Sequence, residues 1–153
     1  MLFRSRFRPA GGISRFLCGT PPVLSLAALE VAVDLLLSCD LAEVRRKSVR
    51  MTDLLIELVE ARCPAHPLGL VSPRRSATRG SQVSFRHPDG YAVMQALIAR
   101  GVIGDFRAPD ILRFGVNALY TSHQDVLTAA TLLHRTTTTG TYDPAPPDAG
   151  TVT

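Results

Sequence analysis

Tryptophan is absent from this 153-residue sequence, and of its seventeen basic residues only Lys47 is not an arginine. Any chemistry that needs a lysine amine therefore has a single candidate. Aromatic residues make up 6 % of the chain and the arginines are dispersed, so a formal charge of +4 does not assemble into the basic, aromatic-laced surface of a nucleic-acid binder. Cys18, Cys39 and Cys63 are odd in number and widely spaced, with no CxxC pair. That suggests neither a disulfide framework nor a zinc site, and fits reduced thiols in the cytoplasm. An unbroken membrane span is also missing. "VLSLAALEVAVDLLLSC" comes nearest, but Glu30 and Asp34 lie one helical turn apart inside it and mark a water-facing stripe. The basic opening has no long apolar core or small-residue cleavage site of a secretory signal.

Sequence motifs of catalysis are equally scarce. There is no GxxxxGK, GxGxxG, HExxH or GxSxG. His66, His87, His123 and His134 are scattered and suit hydrogen bonding better than base catalysis. Lys47 sits among Arg45, Arg46 and Arg50 on what reads as the solvated side of a helix.

A hydrophobic content of 46 % over this length supports one globular domain. Thr20-Pro21-Pro22 punctuates the entry to a helix from Leu24 to about Ser38, apolar on most of its surface and so expected to be buried. Asp40 is placed to cap a second helix, Leu41 to Arg62, with Val44, Met51, Leu54, Leu55, Leu58 and Val59 on one face. Pro64 and Pro67 end it. "LGLVS" (Leu68 to Ser72) and Gln82 to His87 read as strands, Tyr91 to Arg100 as a helix stopped by Gly101, Val102 to Phe106 and Ile111 to Val116 as strands, and Gln124 to His134 as a last helix. The Thr-, Pro- and Gly-rich stretch 136–153 reads as a disordered tail. Helices on a short antiparallel or mixed sheet make an α+β fold.

Two places invite chemistry. Arg113 interrupts an otherwise apolar strand, and a guanidinium that cannot shed its charge requires an anion, either Asp105 or Asp110 of the chain or a ligand. In "LCGTPP", Gly19 permits close backbone approach and Thr20 offers a hydroxyl beside a helix start, where the alternative is a plain helix cap.

Taken together, "FLCGTPP", "RGSQVSFRH", "GDFRAPDILRFG" and "ALYTSHQDV" resemble the C-terminal part of the kynureninase family, from about Phe7 to Arg135. Met1–Arg6 matches nothing expected of it and reads as a foreign or truncated start. The resemblance implies the small domain of a fold-type-I enzyme that uses pyridoxal 5'-phosphate, works in the cytoplasm as a homodimer, and has neither nucleic acid nor membrane as partner. Its reaction would be cleavage of L-kynurenine or 3-hydroxykynurenine by water to anthranilate or 3-hydroxyanthranilate and L-alanine, in tryptophan breakdown. Carried over by position, Arg113 would grip the substrate α-carboxylate, Gly19 would line the pocket near the substrate's aromatic end, and Thr20 would reach the cofactor phosphate of the other subunit. The family's Schiff-base lysine has no match here, since Lys47 is not at its position, so the chain alone is expected to be inactive. Two other readings stand beside this one. The first is a cysteine-desulfurase-like lyase of the same fold, which would need a mobile cysteine such as Cys18; the second is a non-catalytic module that pairs with a full-length subunit.

Overall fold

The computed structural model describes residues 8–63 and 68–142. The expectations about Met1–Arg6, Pro64, His66, Pro67 and the stretch beyond Tyr142 lie outside them. By contact density the chain divides into two compact units, Met1–Asp40 and Leu41–Thr153.

In the first unit a 3-10 turn at Gly12–Phe16 leads to helix α1, Val23–Leu37. The helix forms where expected, but it is not buried: none of its fifteen residues is, and Leu24 and Leu37 are among the most exposed apolar side chains. The physical reason is its pattern. Apolar side chains spread around the whole circumference need neighbours on every side, and the described residues of this unit do not supply them. Among the described residues no helix is long and apolar enough to cross a membrane.

The second unit is an α+β layer. Its elements are α2 (Leu41–Arg62), β1 (Gly69–Leu70), β2 (Gln82–Arg86), α3 (Gly90–Ile98), β3 (Asp105–Arg107), β4 (Ile111–Gly115) and α4 (His123–Thr139). The strands form one sheet in the order β1-β2-β4-β3, and every pairing is antiparallel. Alternation along the strands sends Val83, Phe85, Leu112 and Phe114 to one face, where they meet Met51, Leu55 and Val59 of α2, Val93 and Leu97 of α3, and Val126, Ala130 and Leu133 of α4. Phe85 is fully enclosed and lies edge-on to Phe114; truncating such a ring to alanine costs about 3–5 kcal/mol.

α3 ends where glycine can take a positive φ, +84° at Gly101, and the amide of Val102 returns to the carbonyl of Leu97. α4 departs from expectation. It does not stop at His134 but runs to Thr139, ending at Gly140 in the left-handed region. Threonine is a modest helix former, yet Thr136 and Thr137 are buried, and tertiary burial outweighs propensity. Beyond the helix, Tyr142 donates to Asp89 at 3.2 Å and stands edge-on to the His87 ring.

Candidate functional site

The sheet positions Arg113. In β4, Leu112 and Phe114 face the core, so their neighbours Ile111, Arg113 and Gly115 belong to the opposite face. An arginine within a greasy strand thus follows from the pleat. Register then places Ser84 of β2 and Asp105 of β3 directly beside Arg113, one on each side, and puts Arg86 and Arg107 in the next row across Ile111. Directly opposed antiparallel residues share a face, so a polar row Ser84–Arg113–Asp105 runs across the three strands.

Arg113 donates through Nη2 to Oδ2 of Asp105. The same carboxylate oxygen lies 3.5 Å from Nε of Arg107. Asp110, the other candidate partner, instead pairs with Arg86 Nε at 2.9 Å. The guanidinium therefore has an in-chain partner, and the choice between the two aspartates is settled for Asp105. That pair is an incomplete explanation of the arginine. Asp105 is 48 % exposed, and an ion pair so open to water contributes only about 0–1 kcal/mol. Arg113, 29 % exposed, keeps its Nε enclosed without an acceptor among the described residues; an unpaired enclosed donor costs about 1–3 kcal/mol. Three guanidiniums, of Arg86, Arg107 and Arg113, stand against two carboxylates, Asp105 and Asp110. The surplus cation and the idle donor together suit an incoming anion.

The other residues singled out by sequence lie in the first unit. Gly19 and Thr20 are exposed in the loop before α1. The N-cap of α1 is Pro22 and no side chain caps it, so Thr20 is not the plain helix cap. A methyl group on Gly19 would meet nothing within 4 Å, so its own surroundings do not demand glycine.

The basic cluster on α2 is more structural than its pattern suggested. Lys47 donates its Nζ to the carbonyl of Ala118 at 2.7 Å, and Arg45 donates to the carbonyl of Arg79 at 2.9 Å and to that of Ser76. Sequence reasoning missed Arg79, whose side chain is 2 % exposed. It donates to the carbonyls of Pro73 and Arg74, to Thr52 and to Asp53, and so ties the 73–81 loop to α2. Its signal was only its place in a loop of arginines, which does not distinguish a buried one.

Among the described residues no cysteine or histidine assembles a second reactive centre. Burial pushes the Cys63 thiol up, away from the reactive thiolate, and His134 Nδ1 stands 3.8 Å from its sulfur. His87 is buried and its Nδ1 accepts from the amide of Asp89. Among the described residues no three ligating side chains gather for a metal ion. A cavity of about 490 Å³ between Val102, Ile103, Phe114, Val116 and Tyr120 is mainly apolar, and its carboxylate, Asp125, is committed to capping α4.

Pyridoxal phosphate would require a free amine for its aldehyde. The sole lysine, on α2, is held to the backbone carbonyl of Ala118, so the residues of this chain do not by themselves fit that group.

Comparison with known proteins points to one family. The family model described as the kynureninase C-terminal domain matches residues 44–133, which include most of α2, the whole sheet, α3 and most of α4. A kynureninase of Pseudomonas fluorescens is 57 % identical over 128 residues, 84 % of this chain and 31 % of that protein. A kynureninase of Burkholderia mallei (strain SAVP1) is 54 % identical over 127 residues, 83 % of this chain and 30 % of its own length. The chain spans about a third of the length of these relatives.

Proposed function

Since the chain belongs to the kynureninase family, as its C-terminal part, we propose that it supplies the substrate-carboxylate grip of a kynurenine-cleaving enzyme. The substrate is L-kynurenine or 3-hydroxykynurenine and the products are anthranilate or 3-hydroxyanthranilate with L-alanine. One observation carries this reading: Arg113 lies on the non-core face of the sheet with an enclosed Nε that has no acceptor among the described residues. A planar fork suits a carboxylate, and holding the carboxylate fixes how the substituents at Cα are directed. Arg113 binds and orients; it moves no proton.

Gly19 lines the substrate pocket near the aromatic end, and Thr20 approaches the phosphate of pyridoxal 5'-phosphate across a homodimer. These two assignments rest on family position and on the exposure of both residues. The chemistry itself belongs to the part of the family protein that this chain does not span. The isolated chain does not turn over substrate, a reading supported by the engagement of Lys47 with Ala118. Three free cysteines suit a reducing, cytoplasmic setting.

The test joins this chain to the remaining N-terminal part of the Pseudomonas fluorescens relative and follows anthranilate fluorescence. Arg113→Gln raises KM for kynurenine about a hundredfold, the loss expected for a two-point charged contact. An unchanged KM removes Arg113 from the site. Turnover by the 153-residue chain alone, without the added part, overturns its inactivity.

The unburied apolar circumference of α1 favours a second reading, in which the short chain pairs non-catalytically with a full-length subunit. Co-elution with the intact relative on size exclusion supports it, and elution at the chain's own size rejects it.

A further inference from the structure

Asp105 stands between two arginines and satisfies neither. It sits directly across the β3–β4 ladder from Arg113, so its short side chain reaches Nη2 without bending either strand. The contact uses one nitrogen of the fork and one carboxylate oxygen, whereas an optimised arginine–carboxylate pair is two-point. The same oxygen is shared with Arg107, two residues along β3 and on the same face. Two consequences follow. An arginine side chain is long and loses rotamer freedom when it binds, so fixing it beforehand lowers the cost of gripping a ligand. A lone aspartate would also repel an arriving carboxylate, but with Arg107 beside it the trio keeps one net positive charge.

We propose that Asp105 is a positioning residue for Arg113, holding the guanidinium ready for a substrate carboxylate, and that Arg107 offsets the charge of Asp105 so that the carboxylate is admitted. This rests on the reading of Arg113 as the carboxylate grip. Asp105 touches no reacting atom. It acts through Arg113 alone.

The test uses the same joined enzyme for kinetics and the full 153-residue chain for spectroscopy. Asp105→Ala raises KM for kynurenine about tenfold with a smaller change in kcat, as expected when binding geometry rather than chemistry is lost. Asp105→Asn retains an oxygen that accepts from Nη2 and restores most of the loss. Arg107→Gln raises KM, and added salt reduces its difference from the parent because the effect is repulsion. In nuclear magnetic resonance of the full chain, the Nε–H signal of Arg113 stays sharp in Asp105→Asn and broadens in Asp105→Ala. If the alanine variant does not fold, the asparagine and Arg107 variants carry the decision. Tighter binding in both Asp105 variants would make Asp105 a competitor of the ligand and overturn the proposal. Equal losses in both would make charge rather than placement the cause, and would overturn it too. No change in either, while Arg113→Gln still raises KM, rejects the role of Asp105 and leaves the grip standing. No change in Arg113→Gln rejects the grip itself.

Discussion

Asp105 and Arg113 face each other across the β3–β4 ladder, joined through Oδ2 and Nη2, while Asp110, closer to Arg113 in sequence, turns to Arg86. The pairing follows strand register and not sequence distance. It leaves a half-exposed carboxylate and an incompletely satisfied guanidinium on the sheet face away from the core. The same neighbourhood, and the elements that hold it, yield four further expectations.

Gly104 packs where Met94 and the backbone of Arg113 converge. A Cβ there would lie 2.7 Å from Met94 Cε and 2.9 Å from the Arg113 carbonyl oxygen. The thioether can yield, but the carbonyl belongs to the sheet. Gly104→Ala should therefore destabilise the chain by about 1–3 kcal/mol and shift the Met94 methyl and Arg113 amide resonances. Thermal melting and methyl spectra check it, and an unshifted Arg113 amide would show that Met94 absorbs the whole strain.

Arg79 is a buried staple between the 73–81 loop and α2. Arg79→Met keeps the volume and leaves the acceptors on Pro73, Arg74 and Thr52 without their donor. The half-exposed Asp53 is re-solvated, which moderates the loss to about 2–4 kcal/mol. Urea unfolding should show a lower midpoint at unchanged slope.

The capping box of α4 carries a pH signature. The backbone amide of Ser122, and then its hydroxyl, hold the Asp125 carboxyl below the ordinary carboxylate range. A depressed folded pKa gives stability that is complete above the unfolded value and is lost as pH falls through the folded one. Hydrogen exchange in the first turn of α4 should accelerate on acidification below the usual carboxylate range. Ser122→Ala removes the hydroxyl's bonds and keeps that of the backbone amide, so it costs about 1 kcal/mol at neutral pH and lessens that acid step in part. An acid step of undiminished size in the variant would assign it to other carboxylates.

Thiol reactivity should follow exposure and charge state. Cys18 is exposed, Cys39 intermediate and Cys63 buried, with its thiol pushed up by burial. Iodoacetamide at neutral pH should label them in that order, with Cys63 reacting only as the chain is unfolded. Early labelling of Cys63 would mean that the contact between α2 and α4 opens readily.

Much of the architecture was legible because it rests on local pattern. α2 begins and ends at the residues its periodicity marks, Leu41 and Arg62, and β2 and β4 fall where Val83, Phe85, Leu112 and Phe114 alternate with other residues. The solvated face assigned to the basic residues of α2 was less accurate. Arg45 and Lys47 are drawn to carbonyls more than thirty residues away, and no local spacing encodes such partners. α1 was legible as a helix and misjudged in burial, because an apolar circumference says what a helix needs and not whether its own unit provides it.

By itself the sequence determined the kinds of element, their order, the α+β class and, through long motifs, the family; these depend on side-chain periodicity, turn chemistry and runs of residues that can be compared directly. Tertiary structure alone decided which aspartate meets Arg113, that Arg79 is buried, and that a threonine run continues α4 instead of leaving it. A strand shifted by a single residue would exchange its two faces, and helix length at a weak terminus is set by what the last turn can bury. Neither quantity is local, so both waited for the packed sheet.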